Sequence, residues 1–160
     1  MRALPKDPGP RLTVYCDGAA RGNPGPAGIG VVVKGPRGRI LDTVARGIGV
    51  ATNNVAEYRA VIEGLTRAQA LGAPAVTLRS DSKLLIEQLS QRYRVKNPTL
   101  IRLHGEVRVL VAGFDEVRFE HVPREFNREA DRLANEGVDE WLAGPGRSYR
   151  RPGSAPQLFG

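Results

Sequence analysis

The chain is 160 residues long, 41% hydrophobic and 26% charged, an ordinary balance for one globular domain large enough to bury a core. A single cysteine, Cys16, excludes a disulfide framework and a cysteine zinc site, and two histidines, His104 and His121, exclude a His-rich metal centre. The 24 Lys+Arg against 17 Asp+Glu leave a net charge of +7, which points to a polyanionic partner, nucleic acid before membrane.

Residues 1–10 hold three prolines and no apolar stretch of the signal-peptide kind, which predicts a flexible N-terminus and a cytoplasmic location. From residue 11 to 17, Leu12, Val14 and Cys16 alternate with Thr13, Tyr15 and Asp17, the period of a strand. GAARGNPGPAG follows as a turn, then a strand over 29–34, a hairpin turn at GPRG (35–38) and a strand from 39 to about 48. Residues 53–71 read as a helix, with Val61, Leu65 and Ala68 on one stripe and Gly72 as its stop. A short apolar strand at 75–80 precedes a helix over 82–93. Pro98 suits the first turn of a further helix in which Leu100, Leu103, Val107 and Leu110 recur at helical spacing. A strand at 116–122 and a helix at 127–142, carrying Leu133, Ala134, Val138 and Trp141, complete a domain over residues 11–143. The tail 144–160, rich in Gly, Pro, Ser and Arg, reads as flexible and basic. No apolar run is long enough to span a membrane, and nothing demands more than a monomer. The order βββαβααβα predicts an α/β fold: a mixed sheet that begins as an antiparallel meander and continues as helix-linked parallel strands.

Four carboxylates occupy positions that a purely structural role explains poorly. Asp17 ends the first strand, just before the glycine-rich turn. Asp81 follows the strand AVTLRS, at the edge where open α/β sheets place their ligands. Glu57 lies on the core-facing stripe of its helix with Val61 and Leu65, and Asp131 lies on or beside the stripe of Ala134 and Val138. Acids on a buried stripe are costly unless paired or bound to a cation. Each also has a local reading. Asp17 serves as a turn residue, Asp81 caps the helix beginning at Ser82, Asn54-x-x-Glu57 forms a capping box, and Asp131 pairs with Arg128 or Arg132. Taken together, four acids converging on one sheet edge require a cation to hold them, and all-oxygen ligation suits Mg²⁺ or Mn²⁺. Cys16, on the opposite face of the strand from Asp17, is a packing residue.

The motifs resemble a known family. Asp17-Gly-Ala-Ala-Arg-Gly-Asn-Pro-Gly-Pro-Ala-Gly-Ile-Gly30, Thr52-Asn-Asn-Val-Ala-Glu57, Ser80-Asp-Ser82 and Asn127-Arg-Glu-Ala-Asp131 resemble, in order, the four motifs of type 1 ribonuclease H. The resemblance covers residues 11 to about 142 and implies a ribonuclease H-like fold with a five-stranded sheet. It also implies an endonuclease that cuts the RNA strand of an RNA/DNA hybrid, leaving 5′-phosphate and 3′-hydroxyl ends. Asp17, Glu57, Asp81 and Asp131 would be the catalytic acids and the ligands of two Mg²⁺ ions per active site, with Mn²⁺ as a substitute. Gly18, Ala20, Gly22 and Asn23 in the turn, with Asn53 and Asn54, would face the minor groove, where 2′-hydroxyls distinguish RNA from DNA. Thr52 and Asn23 would hold a phosphate of the DNA strand.

Two features depart from the pattern of many members. Their histidine sits in a mobile loop, whereas Phe119-Glu-His-Val122 reads as strand, so His121 is structural or substrate-facing and Arg124 or Glu125 takes over part of its role. The basic protrusion of many bacterial members is missing: residues 91–114 hold one short helix preceded by Arg92, Arg94 and Lys96, the pattern of a compact branch. Arg147, Arg150 and Arg151 in the tail offer compensating phosphate contacts. Two rival readings stand beside the nuclease: a 3′–5′ exonuclease of the four-carboxylate type, disfavoured because Asp17-Gly-Ala19 is not Asp-x-Glu, and an inactive ribonuclease H-like module that only binds nucleic acid.

Overall fold

The alternating start of the chain forms β1 (Arg11–Ala20), whose Leu12, Val14 and Cys16 are buried. The strand continues past Asp17, and β2 (Gly25–Lys34) begins earlier than expected, so the glycine-rich segment is mostly ladder rather than turn. Asp17 pairs with Gly30, Gly18 with Ile29, Ala19 with Gly28 and Ala20 with Ala27. Only residues 21–24 turn, with Gly22 at φ 104° and a cis Asn23–Pro24 peptide bond. Of the glycines that signal a turn in the sequence, Gly18 and Gly28 are strand residues pressed against helix backbone, while Gly22 makes the bend and Gly25 closes on the Arg21 carbonyl.

This computed structural model describes residues 10–144; apart from Pro10 and Gly144, the two terminal segments expected to be flexible, 1–10 and 144–160, lie outside the described residues. After β2 a short 3₁₀ turn at Pro36–Gly38 leads into β3 (Ile40–Ala51), which pairs antiparallel with β2. Then come α1 (Asn53–Ala70), β4 (Ala75–Ser80), α2 (Lys83–Leu89), α3 (Pro98–Ala112), β5 (Glu116–His121) and α4 (Arg128–Ala143). The sheet order is β3-β2-β1-β4-β5, with β1/β4 and β4/β5 parallel, so the expected α/β architecture and its mixed sheet are present. No helix among the described residues is long and apolar enough to cross a membrane.

Most of the core lies on one side of the sheet. Tyr58, Val61 and Leu65 of α1 are buried among Val14, Val31, Val76 and Leu78, with Leu103 and Val107 of α3 behind them. Each aliphatic side chain taken from water there contributes about 1.5–3 kcal/mol. The fourth helix covers the other side over β2 and β3. It does so at very short range, because a Cβ on Gly30 would stand 2.0 Å from the Ala130 carbonyl oxygen, and one on Gly28 2.4 Å from that of Ala134. These two glycines set the depth at which α4 rides on the sheet.

Helix α2 is shorter than the periodicity predicts. It stops at Leu89 because Gln91 takes a left-handed φ of 61°, and residues 90–97 leave the helix before Asn97 caps α3. Of the basic residues in that segment, Arg92 is already tied to Glu87 at 2.6 Å, while Arg94 and Lys96 are exposed.

Candidate active site

Strands β1 and β4 run side by side from Arg11/Ala75 to Tyr15/Arg79 and then part, since β4 ends at Ser80 while β1 continues. A crevice opens where they part. Asp17 enters it from β1, and Asp81 stands on the residue after β4. Glu57 is brought in by α1, whose backbone lies directly on β1: a Cβ at Gly18 would be 2.3 Å from the Glu57 nitrogen. The missing side chain of Gly18 therefore makes room for a helix. Asp131 arrives on the first turn of α4 and shares a hydrogen bond with the carboxyl of Asp17.

The local readings of these acids give way to other partners. Thr52 caps α1, its hydroxyl accepting from the Val55 nitrogen at 3.2 Å, so Asn54-x-x-Glu57 is no capping box. Glu57 instead accepts from Asn53 Nδ2 at 3.1 Å and from Ser82. Ser82 caps α2 by accepting from the Leu85 nitrogen, which frees Asp81 from that duty. Arg132 pairs with Glu136 at 2.6 Å, and Asp131 takes Asn135 as its neighbour, with Asn135 Nδ2 at 3.4 Å from its Oδ1. Glu57 and Asp81 are thus released from the cap roles that would explain them away, Asp131 is left without Arg132, and Asp17 stands in the β1/β2 ladder rather than in a turn.

Crowding shows in their proton affinities. Burial, the hydrogen bond with Asp131 and the charges of Asp81, Asp131 and Glu57 push Asp17 up to about 8. Glu57 is pushed up to about 7 by burial and by Asp81, against the hydrogen bonds from Ser82 and Asn53. Cys16, fully buried behind them, has its thiol raised by burial first and then by Asp17, Glu57 and Asp81. It packs in the core as expected. No lysine or arginine figures among the causes acting on Asp17 or Glu57. Among the described residues no group of three or more His, Cys, Asp or Glu stands in an arrangement that holds a metal ion unaided. The donors are nevertheless all hard oxygens, crowded enough that Asp17 and Glu57 are pushed well above the usual carboxylate range, and such a set fits Mg²⁺ or Mn²⁺ by chemistry.

The polar turn sits at the rim of this crevice. Asn23 Oδ1 accepts from the Asn53 nitrogen at 3.0 Å, tying the turn to the start of α1. Arg21 ties it to α4, through Asp139 at 2.8 Å and the Asn135 carbonyl at 3.3 Å. Gly22, Asn23 and Asn54 are exposed, Ala20, Thr52 and Asn53 partly so, and Gly18 is buried. His121 ends β5 opposite Ser80, exposed, with Nε2 3.2 Å from the Asp81 carbonyl oxygen. Arg124 and Glu125 lie exposed on the short 3₁₀ turn Arg124–Phe126. Glu125 lines a different cleft, of about 300 Å³, with Tyr15, Lys34, Phe126 and Arg128. Sequence reasoning missed Ser82 and Asn127. The signal for Ser82 is the cap pattern itself, Ser three residues before Leu85; Asn127 has none, since its partner is the Cys16 carbonyl on a distant strand.

Comparison with known proteins places this arrangement. Residues 15–137 match the reverse transcriptase-like family. The bifunctional protein Rv2228c of Mycobacterium tuberculosis is 45% identical over 130 residues, which is 81% of this chain and 36% of that protein; the chain thus spans about a third of that relative. The ribonuclease H1 of the halophilic archaeon Halobacterium salinarum superposes with a TM-score of 0.79 at 44% identity, covering 81% of this chain and 98% of that one. LC11-RNase H1, isolated from compost and solved with an RNA/DNA hybrid, gives a TM-score of 0.78 at 41% identity, covering 82% of this chain and 99% of that one.

Proposed function

The chain belongs to the reverse transcriptase-like family, as a type 1 ribonuclease H, and we propose that it is an endonuclease hydrolysing the RNA strand of RNA/DNA hybrids to 5′-phosphate and 3′-hydroxyl ends. The observation that carries this reading is the convergence of Asp17, Glu57, Asp81 and Asp131 from four separate elements on the crevice between β1 and β4. Held by these carboxylates, two divalent cations, Mg²⁺ or in its place Mn²⁺, would activate the attacking water and stabilise the leaving 3′ oxygen.

The chain's own residues do the rest. Asn53 and Ser82 hold the Glu57 carboxylate by hydrogen bonds and so fix its orientation. The hydroxyl of Thr52 accepts the cap bond from the Val55 nitrogen, which leaves its proton to donate to a DNA-strand phosphate. Asn23, tied to the same helix start, stands beside it as a second phosphate contact. Ala20 at the end of β1, Gly22 in the narrow turn, and the exposed Asn54 face the minor groove, where a 2′-hydroxyl marks the RNA strand. His121, on the Asp81 carbonyl, steadies the end of β4 at the edge of the site.

The test is cleavage of an end-labelled RNA/DNA hybrid beside matched RNA/RNA and DNA/DNA duplexes, in Mg²⁺ and then in EDTA. Internal cuts confined to the RNA strand of the hybrid and abolished by EDTA are expected. Hybrid binding without cleavage in both Mg²⁺ and Mn²⁺ would replace this reading with that of a binding module.

A further inference from the structure

Asn127 stands at the N-terminal end of α4, where asparagine ordinarily caps a helix by accepting from the second or third backbone N–H. Here its side chain makes no such bond. Its Nδ2 reaches across to the carbonyl oxygen of Cys16 at 3.0 Å, a residue 111 positions away in the chain and the neighbour of Asp17. Its own backbone carbonyl accepts from the Asp131 nitrogen at 3.1 Å. The residue is 1% exposed, and Oδ1 is buried with no hydrogen-bond partner.

A cap given up and an acceptor left unsatisfied each cost stability. What the arrangement secures is a link of one side chain and one backbone bond from the strand carrying Asp17 to the helix turn carrying Asp131. The glycines of β2 fix how close α4 lies to the sheet, and Arg21 ties the middle of the helix through Asp139 and Asn135. The bond from Asn127 to Cys16 ties its first turn, at the end where the carboxyls of Asp131 and Asp17 meet.

We propose that Asn127 is a positioning residue, which holds the first turn of α4 in register with β1 so that Asp131 meets Asp17 across the crevice. This deepens the reading of the site as a metal-dependent ribonuclease H and rests on it. The variant Asn127→Ser separates the two roles of the position. Serine caps α4 well but is too short to reach Cys16, so its thermal midpoint in EDTA stays at or near that of the parent. On a hybrid substrate we expect kcat to fall at least tenfold with KM changed less than threefold. The affinity for Mn²⁺ without hybrid, followed by paramagnetic broadening, should fall several-fold.

A lower thermal midpoint with unchanged kcat and Mn²⁺ affinity would make Asn127 merely structural and overturn the proposal. An inactive parent would instead overturn the ribonuclease reading. Should the serine variant not fold, hydrogen exchange on the parent decides: the Asp131 amide must be protected to within about tenfold of the Ala134 amide. Exchange at the rate of a frayed helix end sinks the positioning role.

Discussion

At the scale of single residues, Asp81 is the acid with the fewest structural duties. Ser82 caps the helix that follows, and the contact with His121 uses the Asp81 main chain, so the carboxylate can be changed without unpicking the fold. Asp81→Asn should lower hybrid cleavage by at least a thousandfold. In EDTA its thermal midpoint should match or exceed that of the parent, because one of the mutually repelling charges is gone. Full activity in that variant would remove Asp81 from the proposed site. His121→Ala should be mild, a loss below about tenfold, since the ring's described hydrogen bond goes to the Asp81 main-chain carbonyl; a drop of several hundredfold would give it a chemical role. The acids stood out in the sequence because each reads as a strand end or as part of a buried helical stripe where charge is costly, although β1 in fact runs three residues past Asp17. Ser82 and Asn127 were not, because what they do depends on partners in other elements.

Among the elements, the lesson lies in the glycines of the first hairpin. Gly18 and Gly28 read as part of a turn, and that reading was wrong for a definite reason: their side chains are absent to admit α1 and α4, not to bend the chain. Propensity carries no information on such an approach, since both causes produce the same letters. The helix starts fall where the sequence places them, to within a residue, but the capping residues differ. Several residues able to cap stand in a row in Thr52-Asn-Asn54 and in Asp81-Ser82, and the cap bonds are made by Thr52 and Ser82. Gly30→Ala tests the packing argument. Its Cβ would sit 2.0 Å from the Ala130 oxygen, so α4 must lift off β2, carrying Asp131 with it. We expect a loss of about 3 kcal/mol or more in denaturant unfolding, at the upper end of overpacking effects. Cleavage should remain depressed even at temperatures where the variant is fully folded. A variant as stable and as active as the parent would show that the helix is not seated as described.

For the molecule as a whole, the crowded acids make stability depend on pH and on cations together. Asp17 and Glu57 have ordinary values of 3.8 and 4.5 and stand at about 8 and about 7 in the folded chain. Between those limits the native state holds protons that the unfolded chain has released. The native state therefore binds more protons than the unfolded one, and stability must fall as pH rises. The contribution is fully present below about pH 4 and is lost as the pH climbs through 7 to 8. In EDTA the thermal midpoint should accordingly drop by several degrees or more between pH 5.5 and 8.5, since each pH unit over which a native carboxyl keeps a proton that the unfolded chain has released weakens the fold by about 1.4 kcal/mol. The charge pairs elsewhere, such as Arg67 with Glu63 and Asp42, do not follow this course, since Glu63 is held below its usual value by its arginines. Glu57→Gln should therefore flatten the slope and leave the rest of the profile in place; an unchanged slope would put the pH dependence outside the crevice. Divalent cation works against the same repulsion and competes with the same protons. Mg²⁺ should raise the midpoint at pH 8.5, where the carboxylates are free to take it, and much less at pH 5.5, where they hold protons instead. A Mg²⁺ effect equal at both values would mean that the ion binds somewhere other than these four acids.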